Sequence, residues 1–419
     1  MPSRYTGSKT VVSFQRRKTK VFKIAWRNIR RNKRRSFLSL LIISIGVGVL
    51  FLVNGYIAQT FEGLKGMAVA QYGNLQIAAE HFWDNDNQRH LLRRSDLKKV
   101  GQLLTVGKEV RSYTTSLGVN GIVGTEKVST IAVGEGIEPG NSQMQNIMIT
   151  SGTKILPGDI DKMLVGKGVM QKLGVKEGEW LSLMTTTLDG AYNAGSFQVS
   201  GSFSTGSTEA DNVYVYLPVN ATQSLLNTDG VDKVIVSLKN IQSTGSTAAW
   251  LKKQFAKNQL KLEIKTWSDL AQFYHQVRSL YEVIFYFMSI VVFFLALVSI
   301  LEIMSMAFFE RMNEIGTMRS IGTKRYQILA LLTEEGFIIG FMGGIIGLLA
   351  GYGIGSLINQ QHITYIPPSI NHPVPLSFDL SLMNGIFPFI IVVLATLVSA
   401  FYPAIKASRL NIVEILRHK

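Results

Sequence analysis

The residues with the clearest chemical capacity lie between Glu310 and Arg325, in the stretch ERMNEIGTMRSIGTKR. Glu310, Arg311, Glu314, Arg319, Lys324 and Arg325 put charges of both signs on one short amphipathic segment. Such a set recognises a surface; it does not break bonds. The next stretch, through Gly355, carries no Lys or Arg and is striped with glycine. A charged helix that turns directly into a membrane span suggests a partner that docks at the membrane surface and pushes on that span.

Three carboxylates stand in or near apolar segments: Glu302, Glu334 and Glu335. A charged side chain at mid-bilayer costs roughly 2.5–3.5 kcal/mol or more, so such groups pair, cap or face a polar interior. Glu335 follows Lys324 and Arg325 closely enough to snorkel toward that basic end or to pair with it. A structural ion pair is the better reading than a proton relay. Glu302 lies deeper and is expected to face a polar interior.

Other chemistries find no support. Gly7-Ser8-Lys9-Thr10 resembles the end of a phosphate loop but lacks the glycine spacing and the preceding strand. The six histidines are dispersed without metal-ligand spacing, and His362 and His372 merely share a Pro-rich loop. There is no cysteine, which excludes disulfides and thiolate metal sites. No nucleophile elbow appears. Catalysis by this chain itself is not expected.

The positioning elements follow from hydropathy and charge. Hydrophobic residues make up 47% of the 419, high for a soluble protein. The net charge of +15 is concentrated: residues 1–36 hold thirteen Lys or Arg and no Asp or Glu. Residues 59–279 hold twenty-two basic and twenty acidic residues. That distribution argues for positive-inside topology and attraction to anionic lipid headgroups, and against nucleic acid. Residues 1–36 read as a basic tail ending in an interfacial amphipathic helix. Arg27, Arg30, Arg31, Lys33, Arg34 and Arg35 are the membrane-surface residues.

Spans are expected at 37–58, 280–308, 328–358 and 382–402. The first is too long for a signal-peptide core and has no small-residue cleavage site, so it reads as a retained anchor. Segment 309–327 is a cytoplasmic helix, 359–381 a short outer loop and 403–419 a basic cytoplasmic tail. Lys and Arg beside the spans number thirteen, four and four on one side, and 359–380 has none. Both termini are therefore expected inside, with 59–279 outside. Alternating runs there predict strands at Leu75–Ala78, Gly121–Val123, Ser129–Val133, Trp180–Met184, Phe197–Ser200, Val213–Tyr216 and Lys233–Ser237. Helices are predicted near Ser95–Val106, Asp161–Leu173, Ala221–Leu226 and Thr247–Asn258. Residues 185–212, rich in Gly, Ser and Thr, read as loops in a β subdomain. The fold class is thus a membrane protein of four transmembrane α-helices with a large extracytoplasmic α+β domain between the first and second.

In the third span, Gly336, Gly340 and Gly344 step by four, as do Gly347, Gly351 and Gly355. Each set lines one helix face and lets another backbone approach closely. The third span is a packing helix, within the chain or between subunits.

Here the sequence resembles the ABC transporter permeases of the MacB, LolC/LolE and FtsX type. The resemblance rests on Arg311, Glu314-Ile315-Gly316, Arg319 and Gly322. It continues in Glu335, Gly336, Gly340, Gly343, Gly344, Gly347 and Gly351. Arg27-Asn28 and Arg30–Arg35 match at the N-terminal end, and Pro403, Ala404, Ala407 and Arg409 at the other. The resemblance implies that Glu310 to Arg325, with Met318 among them, is a coupling helix seated in a separate cytoplasmic ATPase. It implies two ATPases, and a second permease copy or paralogue. ATP and Mg bind on the partner, with no cofactor in this chain. It further implies a bacterial inner membrane and a MacB-like periplasmic core with a β-rich insert near 150–230. A periplasmic adaptor or lipoprotein carrier fits the same picture. The implied function is export or membrane extraction of an amphipathic or lipidated substrate. The alternative is FtsX-like signalling to an outside partner without transport.

Overall fold

The computed structural model describes residues 33–84, 89–140, 144, 147–310, 312–366 and 373–409. The chain divides into two compact units: residues 1–61, 277–363 and 375–419, and residues 62–276 with 364–374.

In chain order, helix α1 (Lys33–Tyr72) leads to β1 (Leu75–Ala79), α2 (Arg94–Val106), β2 (Val110–Gly124), β3 (Ser129–Ile137), β4 (Met148–Gly152) and β5 (Lys162–Gly166). Next come α3 (Lys167–Leu173), β6 (Trp180–Thr186), β7 (Tyr192–Ser204), β8 (Tyr214–Pro218), α4 (Val219–Leu226), β9 (Lys233–Leu238), α5 (Thr244–Lys257) and β10 (Leu262–Thr266). The last elements are α6 (Gln272–Glu310), α7 (Met312–Ser320), α8 (Arg325–Gln360) and α9 (Leu382–Arg409).

In the α/β unit the long strand β2 pairs three others, β3 along Ser116–Gly124 and two more. Its first half pairs β9, and its second half, from Gly121, pairs β6. Because β6 also pairs β7, the order β2-β3-β8-β5-β7-β6 closes on itself. Closure removes free edges from those strands. Val119, Leu181, Leu183, Val199 and Val215 are buried in one core, at the alternating positions a closed sheet requires. Of the remaining strands, β10, β1 and β9 run β10-β1-β9-β2, and β4 pairs β7. Val100 and Leu104 of α2 and Leu251 and Phe255 of α5 join the same core.

Two expectations are corrected here. Asp161–Leu173 is not one helix, because Lys162–Gly166 is strand β5. Met163, Leu164 and Val165 are all buried, since β5 lies between β7 and β8; such a run has no strand periodicity to read. Residues 185–212 are not mainly loops, because β7 occupies Tyr192–Ser204. Its small residues fit a tight crossing: a side chain on Gly201 would meet the Ser151 carbonyl. Strands β5, β6, β7 and β8, all within residues 150–230, complete the ring that β2 and β3 begin.

Among its described residues, the helical unit contains four helices long and apolar enough to cross a membrane. The expected spans mark only the apolar parts. Helix α1 continues past residue 58 to Tyr72, and α6 begins at Gln272, before residue 280. In those extensions, pairs such as Lys65–Glu62 at 3.3 Å and Arg278–Glu282 at 2.8 Å carry the helix outside the apolar window. Within the bundle, Ile43 and Val47 of α1, Ala296 and Ile300 of α6, Ile339 of α8 and Val392 of α9 form one buried core. The segment 309–327 is not one helix: α7 ends at Ser320, and α8 has already begun at Arg325. Residues 359–381 include the last two residues of α8 and a two-strand pair, Thr364–Tyr365 with Val374–Pro375.

Candidate functional site

Helix α7 stops because the chain turns sharply at Gly322, whose φ of +99° suits glycine. The amides of Ile321, Gly322 and Thr323 return to the carbonyls of Thr317, Arg319 and Met318 at 3.0–3.1 Å and close the helix end. Helix α8 then starts with the Gln327 side-chain oxygen accepting from the Lys324 amide at 2.9 Å.

The faces of α7 divide cleanly. Ile315 is 5% exposed and, with Gly316, is buried; Ile315 joins Ile300, Met304, Ile328 and Leu332 in the bundle core. Glu310, Glu314, Lys324 and Arg325 are exposed, and Met318 and Arg319 are half-buried. Arg311 lies outside the described residues, as do Arg27, Arg30 and Arg31. Lys33, Arg34 and Arg35 form the first turn of α1. The sequence reading missed Ile321 and Tyr326, which stand 82% and 59% exposed beside the same turn. Neither continues an apolar stripe, so periodicity gave no signal.

The glycines of α8 serve two neighbours. A Cβ on Gly336 would fall 2.5 Å from Ala400 Cβ, and Gly340 and Gly344 press on Thr396 and Phe389, all on α9. Gly343, Gly347 and Gly351 meet Ile43, the Ser44 carbonyl and Phe51 on α1. Gly355 meets Leu380 and Leu52. Helix α8 is therefore held between α9 and α1 within one chain. Ser44 Oγ donates to the Gly343 carbonyl at 3.0 Å, and Ser399 Oγ of α9 to the Leu297 carbonyl of α6 at 2.9 Å.

The carboxylates depart from expectation. Glu302 is exposed on α6, not turned inward. The inward stripe is Ala296, Ile300 and Met304, and two residues past Ile300 is the far side of a helix. Glu335 is 5% exposed, so its carboxylate does not snorkel out of the bundle. Ten residues of helix separate it from Arg325, roughly 15 Å of rise, beyond the joint reach of those two side chains.

In the α/β unit the polar contacts tie strands together. Arg89 pairs with Asp232 at 2.7 Å and donates to the Gly118 carbonyl at 2.5 Å. Glu135 accepts from Ser116 Oγ and from Tyr214 Oη at 3.2 Å, with Lys233 Nζ at 3.3 Å. Burial, then the Glu135 charge, pushes the Tyr214 hydroxyl above the usual phenol range, so it stays a donor. Among the described residues, no group of three or more His, Asp or Glu could hold a metal.

Two family models match the chain. The MacB-like periplasmic core domain matches residues 36–254, just over half of it, and the FtsX-like permease C-terminal domain matches 286–412. The ABC transporter permease YknZ of Bacillus subtilis, described as uncharacterized, is 23% identical across 95% of this chain and 98% of its own. The lipoprotein-releasing system transmembrane protein LolC of Xylella fastidiosa is 22% identical across 94% of this chain and 98% of its own. The macrolide export ATP-binding/permease protein MacB of Syntrophobacter fumaroxidans is 34% identical over 29% of this chain and 15% of its own.

Proposed function

Because the chain belongs to the ABC transporter permeases with a MacB-like periplasmic core and an FtsX-like C-terminal domain, we propose that it converts ATP hydrolysis by a separate cytoplasmic ATPase into work outside the membrane. The termini and α7 face the cytoplasm, as the Lys and Arg distribution favours. The ATPase binds ATP and Mg, and α7 with the following turn sits against it through Glu314, Arg319, Lys324 and Arg325.

One observation carries this reading. Ile315 roots α7 in the bundle core, while the charged face and Ile321 remain outside. A helix fixed on one side and open on the other transmits a push and does not absorb it. Helix α8 begins at Arg325 and passes the push to α1 and α9 through its glycine faces. The cycle is a shift between two packings of the same elements.

The cargo class we infer is amphipathic or lipidated, released or exported outside. A relative named for lipoprotein release and another named for macrolide export support it. A second permease, identical or paralogous, completes the unit.

The test is mild detergent purification of the tagged protein from its own membrane, followed by mass spectrometry. A phosphate-loop ATPase in equal ratio, lost in Glu314→Lys, supports the reading. An ATPase absent from the wild type, or retained undiminished by Glu314→Lys, rejects it. A co-purifying lipoprotein or adaptor distinguishes extraction from efflux.

A further inference from the structure

Three asparagines that the coupling reading does not use meet at one end of the helical unit. Asn54 of α1 donates from Nδ2 to the Asn384 carbonyl at the start of α9, at 2.9 Å. Asn384 donates in turn to the Asp379 carbonyl at 3.0 Å. Asn359, near the end of α8, makes both bonds that an amide side chain can make to one residue. Its Nδ2 donates to the Phe378 carbonyl at 3.0 Å, and its Oδ1 accepts from the Phe378 amide at 2.9 Å. The Asp379 amide then donates to the Gly55 carbonyl of α1 at 3.0 Å. A side chain on Gly55 would fall 2.6 Å from the Asp379 carbonyl oxygen, so the strap lies directly on α1. The ring of Tyr56 covers Phe378 at 6.1 Å between centroids.

The physical need is plain. Residues 376–381 are not helical, and their backbone groups lie at the end of an apolar bundle. Unpaired amides and carbonyls are costly there, so side chains or neighbouring carbonyls must satisfy them. Here the donors and acceptors come from three different helices. We propose that Asn54, Asn359 and Asn384 are positioning residues: together with the Phe378–Asp379 backbone they clasp α1, α8 and α9 into one block that keeps its internal geometry through the transport cycle. The proposal rests on the coupling reading above. A push that enters at α7 then reaches the α1 end as displacement and is not lost as slippage of α1 along the α8 glycine face. Helix α6 supplies none of the three asparagines; it meets α1 there through Tyr281, whose hydroxyl hydrogen-bonds with that of Tyr56 and whose ring stands 6.4 and 6.0 Å from the rings of Tyr56 and Phe61.

The absence of native cysteine makes site-specific labelling direct. Gln59 on α1, Gln361 just past the end of α8 and Met383 on α9 are exposed and flank the clasp. Spin labels placed in pairs at Gln59→Cys, Gln361→Cys and Met383→Cys report the block by double electron–electron resonance. The sample is the permease with its co-purified ATPase in nanodiscs, with and without ATP and vanadate. The expected wild-type result is narrow distances that nucleotide does not change. Asn54→Leu with Asn359→Leu keeps the bulk but removes the bonds. It is expected to broaden the distances and make them nucleotide-dependent, while the ATPase rate persists. Nucleotide-driven changes in the wild type overturn the clasp. So does a double variant that melts earlier yet keeps narrow, nucleotide-independent distances, since that marks a merely structural role. If no ATPase co-purifies, the coupling reading fails instead, and the nucleotide-free distances still decide whether the asparagines hold the block.

Discussion

A side-chain carbon placed on Gly347 would fall 2.5 Å from the carbonyl oxygen of Ser44, closer than real Cβ contacts come. The two belong to α8 and α1, so no rotamer change relieves the clash; a backbone must move. Gly347→Ala is therefore expected to destabilise the bundle by about 1–3 kcal/mol, the usual range for overpacking. Gly353 on the same helix has nothing within 4 Å of its added Cβ. Gly353→Ala is expected to be neutral or stabilising by up to about 1 kcal/mol, because alanine is the better helix former. Parallel melting curves of the two variants in nanodiscs check the contrast, and equal curves count against close α1–α8 packing.

Glu135 is expected to carry the junction of β2, β3 and β9. Removing its carboxylate strands Ser116, Tyr214 and the largely buried Lys233 ammonium, whose Nζ lies 3.3 Å away. Glu135→Ala should lower local stability by roughly 1–3 kcal/mol. Hydrogen exchange at the amides of Ser116–Gly118 reads this directly. Adding Lys233→Met should return part of the loss, because the unpaired charge goes with it.

His81 sits in the turn after β1 with φ of +69°, and its ring nitrogen lies 2.8 Å from the Asp84 carboxylate. The hydrogen bond to Asp84 raises its pKa above the ordinary value of 6.5. A raised folded value favours the protonated turn. Its contribution is fully present below about pH 6.5 and is lost as pH rises through the folded value. Imidazole proton shifts followed through this range should titrate late in the wild type and near the ordinary value in Asp84→Asn. Coincident curves would mean the pair does not form in solution.

The parts legible in the sequence were those with a local signal. Lys233–Ser237 and Leu75–Ala78 stood out as short alternating runs, and the glycines of α8 by their step of four. Which helix each glycine set grips was not legible, since Thr396 and Ser44 are distant in sequence. The ring closure was hidden for the same reason: β2 divides its length between β9 and β6, and nothing within Val110–Gly124 announces it. Glu302 was misread because hydropathy gives depth without azimuth. Asn54 offered a faint clue, a polar residue in an apolar run, but its partner is a backbone carbonyl, which has no sequence signature.

Ile315 and Ile321 lie two turns apart on one segment and are expected to fail in opposite ways. Ile315 is 5% exposed in the bundle core, so Ile315→Ala should cost about 2–5 kcal/mol and lower the melting midpoint. Ile321 is 82% exposed, so Ile321→Ala should stay within about 0.5 kcal/mol of wild type. If an ATPase seats on this turn, Ile321 is an apolar contact a few residues from the exposed Lys324 and Arg325, and its loss should reduce co-purified ATPase despite an unchanged melt. Ile321→Asp should deepen that loss by adding a charge to a dry contact. An Ile321→Asp protein that melts normally and retains its ATPase in full would remove the turn from the docking surface and leave Glu314 and Arg319 to carry it.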